Sequence, residues 1–139
     1  MLNSLFVDTS GWASLFVSTQ TYYPQADRCF RLALQQQKRI FTTNYVVAEL
    51  VALLHSPLRI PRLRIFEIVD AIKIVAYVEV IHVDEVTDTL AWELCKSRLD
   101  KAWSLVDCTS FVVMQQLGIQ EALTTDQHFE QASFIRLLK

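Results

Sequence analysis

Short apolar runs recur along this chain, and longer segments with helical spacing separate them. The runs are Leu5-Phe6-Val7, residues 39–42, the β-branched stretch of Val78, Val80, Ile81 and Val83, residues 122–124 and residues 134–138. Each is too short for a stable helix and suits a strand covered on both faces. Parallel neighbours need long crossovers, and the intervening segments have that length. Ala26, Cys29, Phe30, Ala33 and Leu34 predict a helix over 24–37, and Val46, Leu50, Leu53 and Leu54 another over 45–55. Further helices are expected over 62–75, 84–99 and 105–116, with a short one over 128–132. The pattern predicts an α/β, three-layer fold: a central parallel sheet of about five short strands flanked by helices.

Local chemistry marks the joints. Thr9, Ser10 and Gly11 follow the first strand as helix-start residues, and Trp12 leads into the helix. Thr43 or Asn44 caps the helix through Leu50, which Ser56-Pro57 ends. Pro61 opens the next, Asp84 caps the one after, Ser104 begins an almost wholly apolar helix, and Gly118 closes it. Thr125 or Asp126 caps the last.

Composition narrows the chemistry. At 139 residues, 52% of them apolar, the chain is expected to be one domain, 1–139, able to bury its own core. Its two glycines, Gly11 and Gly118, cannot write a dinucleotide or Walker phosphate loop. Cys29, Cys95 and Cys108 form no C-x-x-C, so buried free thiols are expected. His55, His82 and His128 form no H-x-x-x-H pair and are read as ordinary boundary histidines. Residues 1–17 are apolar but lack a basic start, and Asp8 interrupts them, so they read as a strand entering a helix. No run of 18 uncharged apolar residues occurs, so a soluble, cytoplasmic protein with no membrane segment is expected.

Four acids stand where carboxylates are costly. Asp8 ends an apolar strand, Glu49 lies within Val46–Val51, Asp107 within an apolar helix, and Asp126 directly after residues 122–124. An unpaired carboxylate in such a segment loses several kcal/mol, roughly, on desolvation. No Lys or Arg lies within five residues of Asp8, Glu49 or Asp126. A shared divalent cation would compensate all four, and sites in open parallel sheets form beyond the strand carboxyl ends. Glu49 and Asp107 are expected in first helical turns, where the dipole favours anions. Carboxylates without nearby His or Cys select Mg²⁺ or Mn²⁺. Each acid also has a plain reading: Asp8 and Asp126 as N-caps, Asp107 in a capping box with Ser104, Glu49 facing solvent.

Phe6-Val7-Asp8-Thr9-Ser10, residues 44–50, residues 104–111 and residues 122–129 together resemble the PIN domain, and more narrowly its stand-alone VapC-type members. The stretch around Asp107 and Thr124-Thr125-Asp126-Gln127-His128-Phe129 are the most specific parts. The resemblance spans essentially the whole chain and implies a metal-dependent endoribonuclease. Asp8, Glu49, Asp107 and Asp126 would be both catalytic and metal-binding, holding one or two Mg²⁺ or Mn²⁺ ions. Asp8, Glu49 and Asp107 would be the main ligands, with Asp126 an outer ligand or water orienter. Thr9, Ser10 and Thr125 fall where small hydroxyl residues assist the site. Hydrolysis of RNA would leave 5′-phosphate and 3′-hydroxyl ends. A small VapB-like antitoxin and a homodimer are the partners the resemblance implies. Tyr22 and Tyr23, Trp12 and Phe16, and residues 58–65 are docking candidates and equally ordinary core. One departure is Ser133, where many relatives have Gly in a turn.

The net charge of −2 does not speak against RNA. Without the four site acids, 11 acids face 13 bases. Arg59, Arg62 and Arg64, and Arg28, Arg31, Lys38 and Arg39, form two basic clusters that equally fit solvated surface. A phosphotransfer domain also uses an Asp after its first strand, but the haloacid-dehalogenase kind needs a second Asp where Ser10 stands. A catalytically silent PIN scaffold or RNA-binding module is the remaining alternative.

Overall fold

The computed structural model describes residues 3–139, so Met1 and Leu2 of the expected domain lie outside the described residues. The chain runs β1 (Ser4–Val7), α1 (Thr9–Phe16), α2 (Tyr23–Gln35), β2 (Arg39–Thr43), α3 (Asn44–His55), α4 (Arg62–Ile74), β3 (Val78–Ile81), α5 (Glu85–Ser97), α6 (Leu105–Leu117), β4 (Glu121–Leu123), α7 (Gln127–Gln131) and β5 (Ile135–Arg136). The strands form one sheet in the order β3-β2-β1-β4-β5, and every pairing is parallel. Phe6 of β1 stands opposite Phe41 of β2 and Ala122 of β4, which places β1 at the centre.

All four β1 residues are buried, as expected of a strand covered on both faces. Phe6, Trp12, Ile40, Leu50, Ile68, Met114 and Phe129 anchor the main core. Burying each such side chain contributes about 1.5–3 kcal/mol. Trp12 packs with tilted ring contacts on both Phe16 and Phe30. The buried indole N–H of Trp12 donates to Thr42 Oγ1 (3.1 Å), and that hydroxyl donates to the Val7 carbonyl (2.8 Å). Trp12 therefore belongs to the core and leaves the list of docking candidates.

The caps follow the expected chemistry. Asp8 caps α1 through the Gly11 N–H, Thr43 caps α3 through Val46, and Asp84 caps α5 through Thr87. Ser104 and Asp107 form a complete capping box on α6. Gly118 ends α6 with φ 68°, and the Ile119 N–H returns to the Met114 carbonyl. Gly11 serves a different purpose from the turn residue expected. A Cβ there would lie 2.0 Å from the Leu123 carbonyl oxygen, so only glycine lets α1 settle on β4. Ser133 adopts φ 73°, the left-handed conformation glycine takes without strain.

Three boundaries differ from expectation. Helix α1 begins at Thr9, immediately after its cap, because Asp8 itself stops the strand. The last strand shrinks to two residues, β5, which pairs with β4 at the edge of the sheet. Glu49 is the sixth residue of α3 and so stands in its second turn, one turn beyond the expected position. Cys29 and Cys95 are half-buried and Cys108 is fully buried, all three as free thiols. No helix among the described residues is long and apolar enough to cross a membrane.

Candidate active site

Strand order reverses direction at the β1–β4 junction, the place where open parallel sheets form ligand crevices. Asp8 follows β1 and Thr124-Thr125-Asp126 follow β4, so the two sides of that junction carry the polar residues. Asp8 is 7% exposed. Its Oδ1 accepts from the Gly11 N–H and the Ser10 hydroxyl, both at 2.9 Å, and its Oδ2 from Thr124 Oγ1 at 2.7 Å. Those donors favour the charged form, yet desolvation outweighs them and, with Asp126 nearby, pushes the Asp8 carboxyl up to about 7.

Hydroxyl groups knit Asp8 to the far strand. Ser10 Oγ and Thr124 Oγ1 lie 3.2 Å apart. The Thr125 N–H donates to Ser10 (2.9 Å) and the Asp126 N–H to Thr124 (3.0 Å). Thr9 points the other way: its hydroxyl donates to Glu49 Oε1 at 2.5 Å, holding an otherwise exposed carboxylate beside the β1 end.

Asp107 and Asp126 meet at His128. The imidazole Nδ1 is 2.9 Å from Asp107 Oδ2 and 3.3 Å from Asp126 Oδ1. One ligand atom from each of these three residues lies within 4.8 Å of the others, close enough to share an ion. Asp8 and Glu49 are not in that group of three. Asp8 is linked to the Asp126 segment through Ser10 and Thr124, while Glu49 is held by Thr9, the residue next to Asp8. Asp126, expected as an outer residue, therefore shares the tightest cluster.

Asp8 has both oxygens engaged, whereas the other three acids each keep one uncommitted. Asp107 uses Oδ2 for the Ser104 N–H and His128, Asp126 uses Oδ1 for the His128 N–H, and Glu49 uses Oε1 for Thr9. Among the described residues, no Lys or Arg forms an ion pair with any of the four acids. Converging oxygens without a counter-charge fit a hard divalent cation.

His128 was read as a boundary residue and is a correction. The Asp126-x-His spacing places its ring over its own helix cap, but the contact with Asp107 depends on how α7 packs beside α6. The only sequence signal was the Thr-Thr-Asp-x-His-Phe stretch. The basic clusters lie apart from the acids in their bonding. Lys38 pairs with Glu121, Arg39 with Glu79, Arg31 with Asp27 and Arg64 with Glu67, while Arg62 lies over Phe66.

The PIN domain profile matches residues 5–135. The chain belongs to the PIN domain family. This PIN domain is 33% identical over 133 residues to the "23S rRNA-specific endonuclease VapC20" of Mycobacterium tuberculosis, in strains CDC 1551 / Oshkosh and ATCC 25618 / H37Rv. The match covers 96% of this chain and 97% of each relative. The crystal structure of M. tuberculosis VapC20, described as a sarcin-ricin loop cleaving toxin, superposes with a TM-score of 0.86 at 32% identity. That match covers 98% of this chain and all of VapC20.

Proposed function

We propose that this PIN domain is a VapC-type toxin, a divalent-metal-dependent endoribonuclease that hydrolyses RNA to 5′-phosphate and 3′-hydroxyl ends. The observation that carries the reading is that Asp8 and Asp126 follow neighbouring strands at the β1–β4 crevice, with Asp107 beside Asp126, Glu49 held by the residue next to Asp8, and no lysine or arginine ion pair to any of them among the described residues. Asp107 and Asp126, through their uncommitted oxygens, would hold Mg²⁺ or Mn²⁺, with Glu49 and Asp8 completing the site for one or two ions. A divalent ion held there would supply metal-activated water as nucleophile and charge stabilisation at the leaving oxygen.

The chain's own groups do the positioning. His128 and the Ser104 N–H both hold Asp107 Oδ2, which leaves Oδ1 free. Ser10, Thr124 and Thr125 lock Asp8 and Asp126 across the β1–β4 crevice. Thr9 holds Glu49 out of solvent reorientation. RNA is the substrate class, and the 23S rRNA activity named for VapC20 makes a structured ribosomal loop the first substrate to try. A small VapB-like antitoxin, a homodimeric assembly and a cytoplasmic place of action complete the proposal.

The test is cleavage of an RNA pool containing ribosomal fragments, with Mn²⁺, with EDTA, and with Asp107→Asn protein purified identically. Cleavage that requires both the metal and Asp107 is expected. Cleavage that persists in the variant or in EDTA overturns the mechanism. No cleavage by a folded chain that binds Mn²⁺ favours the silent scaffold.

A further inference from the structure

Cys95 and Cys108 stand outside the acidic site and take no part in it. Cys95 lies in the last turn of α5, and Cys108 is the fourth residue of α6. Their sulfurs are 3.0 Å apart. Ala91, Cys108 and Val112 form a small apolar cluster between the two helices, with Leu94, Cys95 and Trp103 packed around it. A disulfide bond measures about 2.05 Å, so closure asks for roughly 1 Å of approach between two side chains already in contact.

Accessibility orders the pair. Cys95 is half-buried, whereas Cys108 is 0% exposed. A reagent from solvent reaches Cys95, and the neighbour able to resolve an adduct there is Cys108. Cys29 packs against the main core and has no thiol partner among the described residues.

We propose that Cys95 and Cys108 are a dithiol modification site, which a low-molecular-weight disulfide oxidises to an intramolecular bond stapling α5 to α6. In the first step the Cys95 thiolate attacks one sulfur of the reagent. A mixed disulfide forms and one reagent thiolate leaves. In the second, Cys108 loses its proton and attacks Cys95 Sγ, forming the Cys95–Cys108 bond and expelling the second reagent thiol. Two protein thiols are oxidised, and one reagent disulfide is reduced to two thiols.

The staple would act on the turn that presents Asp107. Cys108 is the next residue, and the Cys95 thiol also approaches the carbonyl of Ser104, the α6 cap, at 3.6 Å. The bond would tie the Cys108 end of that turn to α5 and would remove the Cys95 S–H that approaches the Ser104 carbonyl.

The experiment uses the full chain, reduced, freed of reductant and exposed to oxidised glutathione. Thiols titrated after denaturation should fall from three to the one of Cys29. Trypsin without reductant should then release the Cys95 peptide ending at Lys96 joined to the Cys108 peptide starting at Ala102, a link that reductant breaks. Cys108→Ser should retain a stable glutathione adduct on Cys95, and Cys95→Ser should take none while folded. Three persisting thiols, a stable adduct on Cys95 of the unaltered chain, or disulfide-linked dimers would each overturn the proposal. So would an adduct on Cys108 in folded Cys95→Ser.

Discussion

Replacing Asp8 with Asn should stabilise the metal-free protein, and by an amount that depends on pH. Burial raises the Asp8 carboxyl from its ordinary 3.8 to about 7. Each unit corresponds to about 1.4 kcal/mol between protonation states, so the charged form disfavours the fold by about 4 kcal/mol. The folded value lies above the unfolded one, so the group's full contribution to stability is present below about pH 4. It is lost progressively as pH rises through 7 and changes little beyond about pH 8. The amide fits the same contacts. Its carbonyl can accept from Gly11 and Ser10, and its NH₂ can donate to Thr124 Oγ1, whose own proton then turns to Ser10 3.2 Å away. Asp8→Asn in EDTA should therefore melt about 10 °C or more above the unaltered chain at pH 8.5 and nearly level with it at pH 4. Differential scanning calorimetry at both values measures the gap. Equal melting temperatures at pH 8.5, or a gap of the same size at pH 4, would refute the claim that desolvation dominates at Asp8.

Other expectations are simpler to check. Mn²⁺ at about 100 times its dissociation constant should add about 2.7 kcal/mol to the unaltered chain, and most of that should vanish in Asp126→Asn, as read by thermal shift. Gly11→Ala forces a methyl into the Leu123 carbonyl and should cost about 2–3 kcal/mol in urea unfolding. Ser133→Gly relieves a left-handed serine and should stabilise by about 0.5–1 kcal/mol, with RNA cleavage unchanged.

Most of the architecture was legible because local chemistry and burial pattern agree along this chain. The short apolar runs became β1, β2, β3 and β4. Asp8, Asp84 and Ser104 capped the helices that follow them, because their oxygens are the nearest acceptors for unpaired N–H groups. What stayed hidden depends on approach between distant elements. His128 is 21 residues from Asp107, and nothing in either segment encodes how α7 packs on α6. Gly11 reads as a turn residue until the Leu123 carbonyl arrives against it from β4. Cys95 and Cys108 meet through the packing of α5 on α6, which the count of cysteines cannot express. Glu49 was expected in the first turn of α3, but it lies beyond the roughly 3.6 residues of that turn whether the helix starts at Asn44 or Tyr45.

The central position of β1 also bears on the order in which the chain is synthesised. Its neighbour β4 is made more than a hundred residues later, together with Thr124, Thr125 and Asp126. Until then Asp8 lacks the Thr124 hydroxyl on its Oδ2, and Asp107 lacks both Asp126 and His128. A growing polypeptide that has reached residue 120 holds Asp8, Glu49 and Asp107 but neither Asp126 nor the Thr124 and Thr125 groups that link the β1 side to the β4 side. The full arrangement of acids is thereby tied to the late synthesis of β4 and α7.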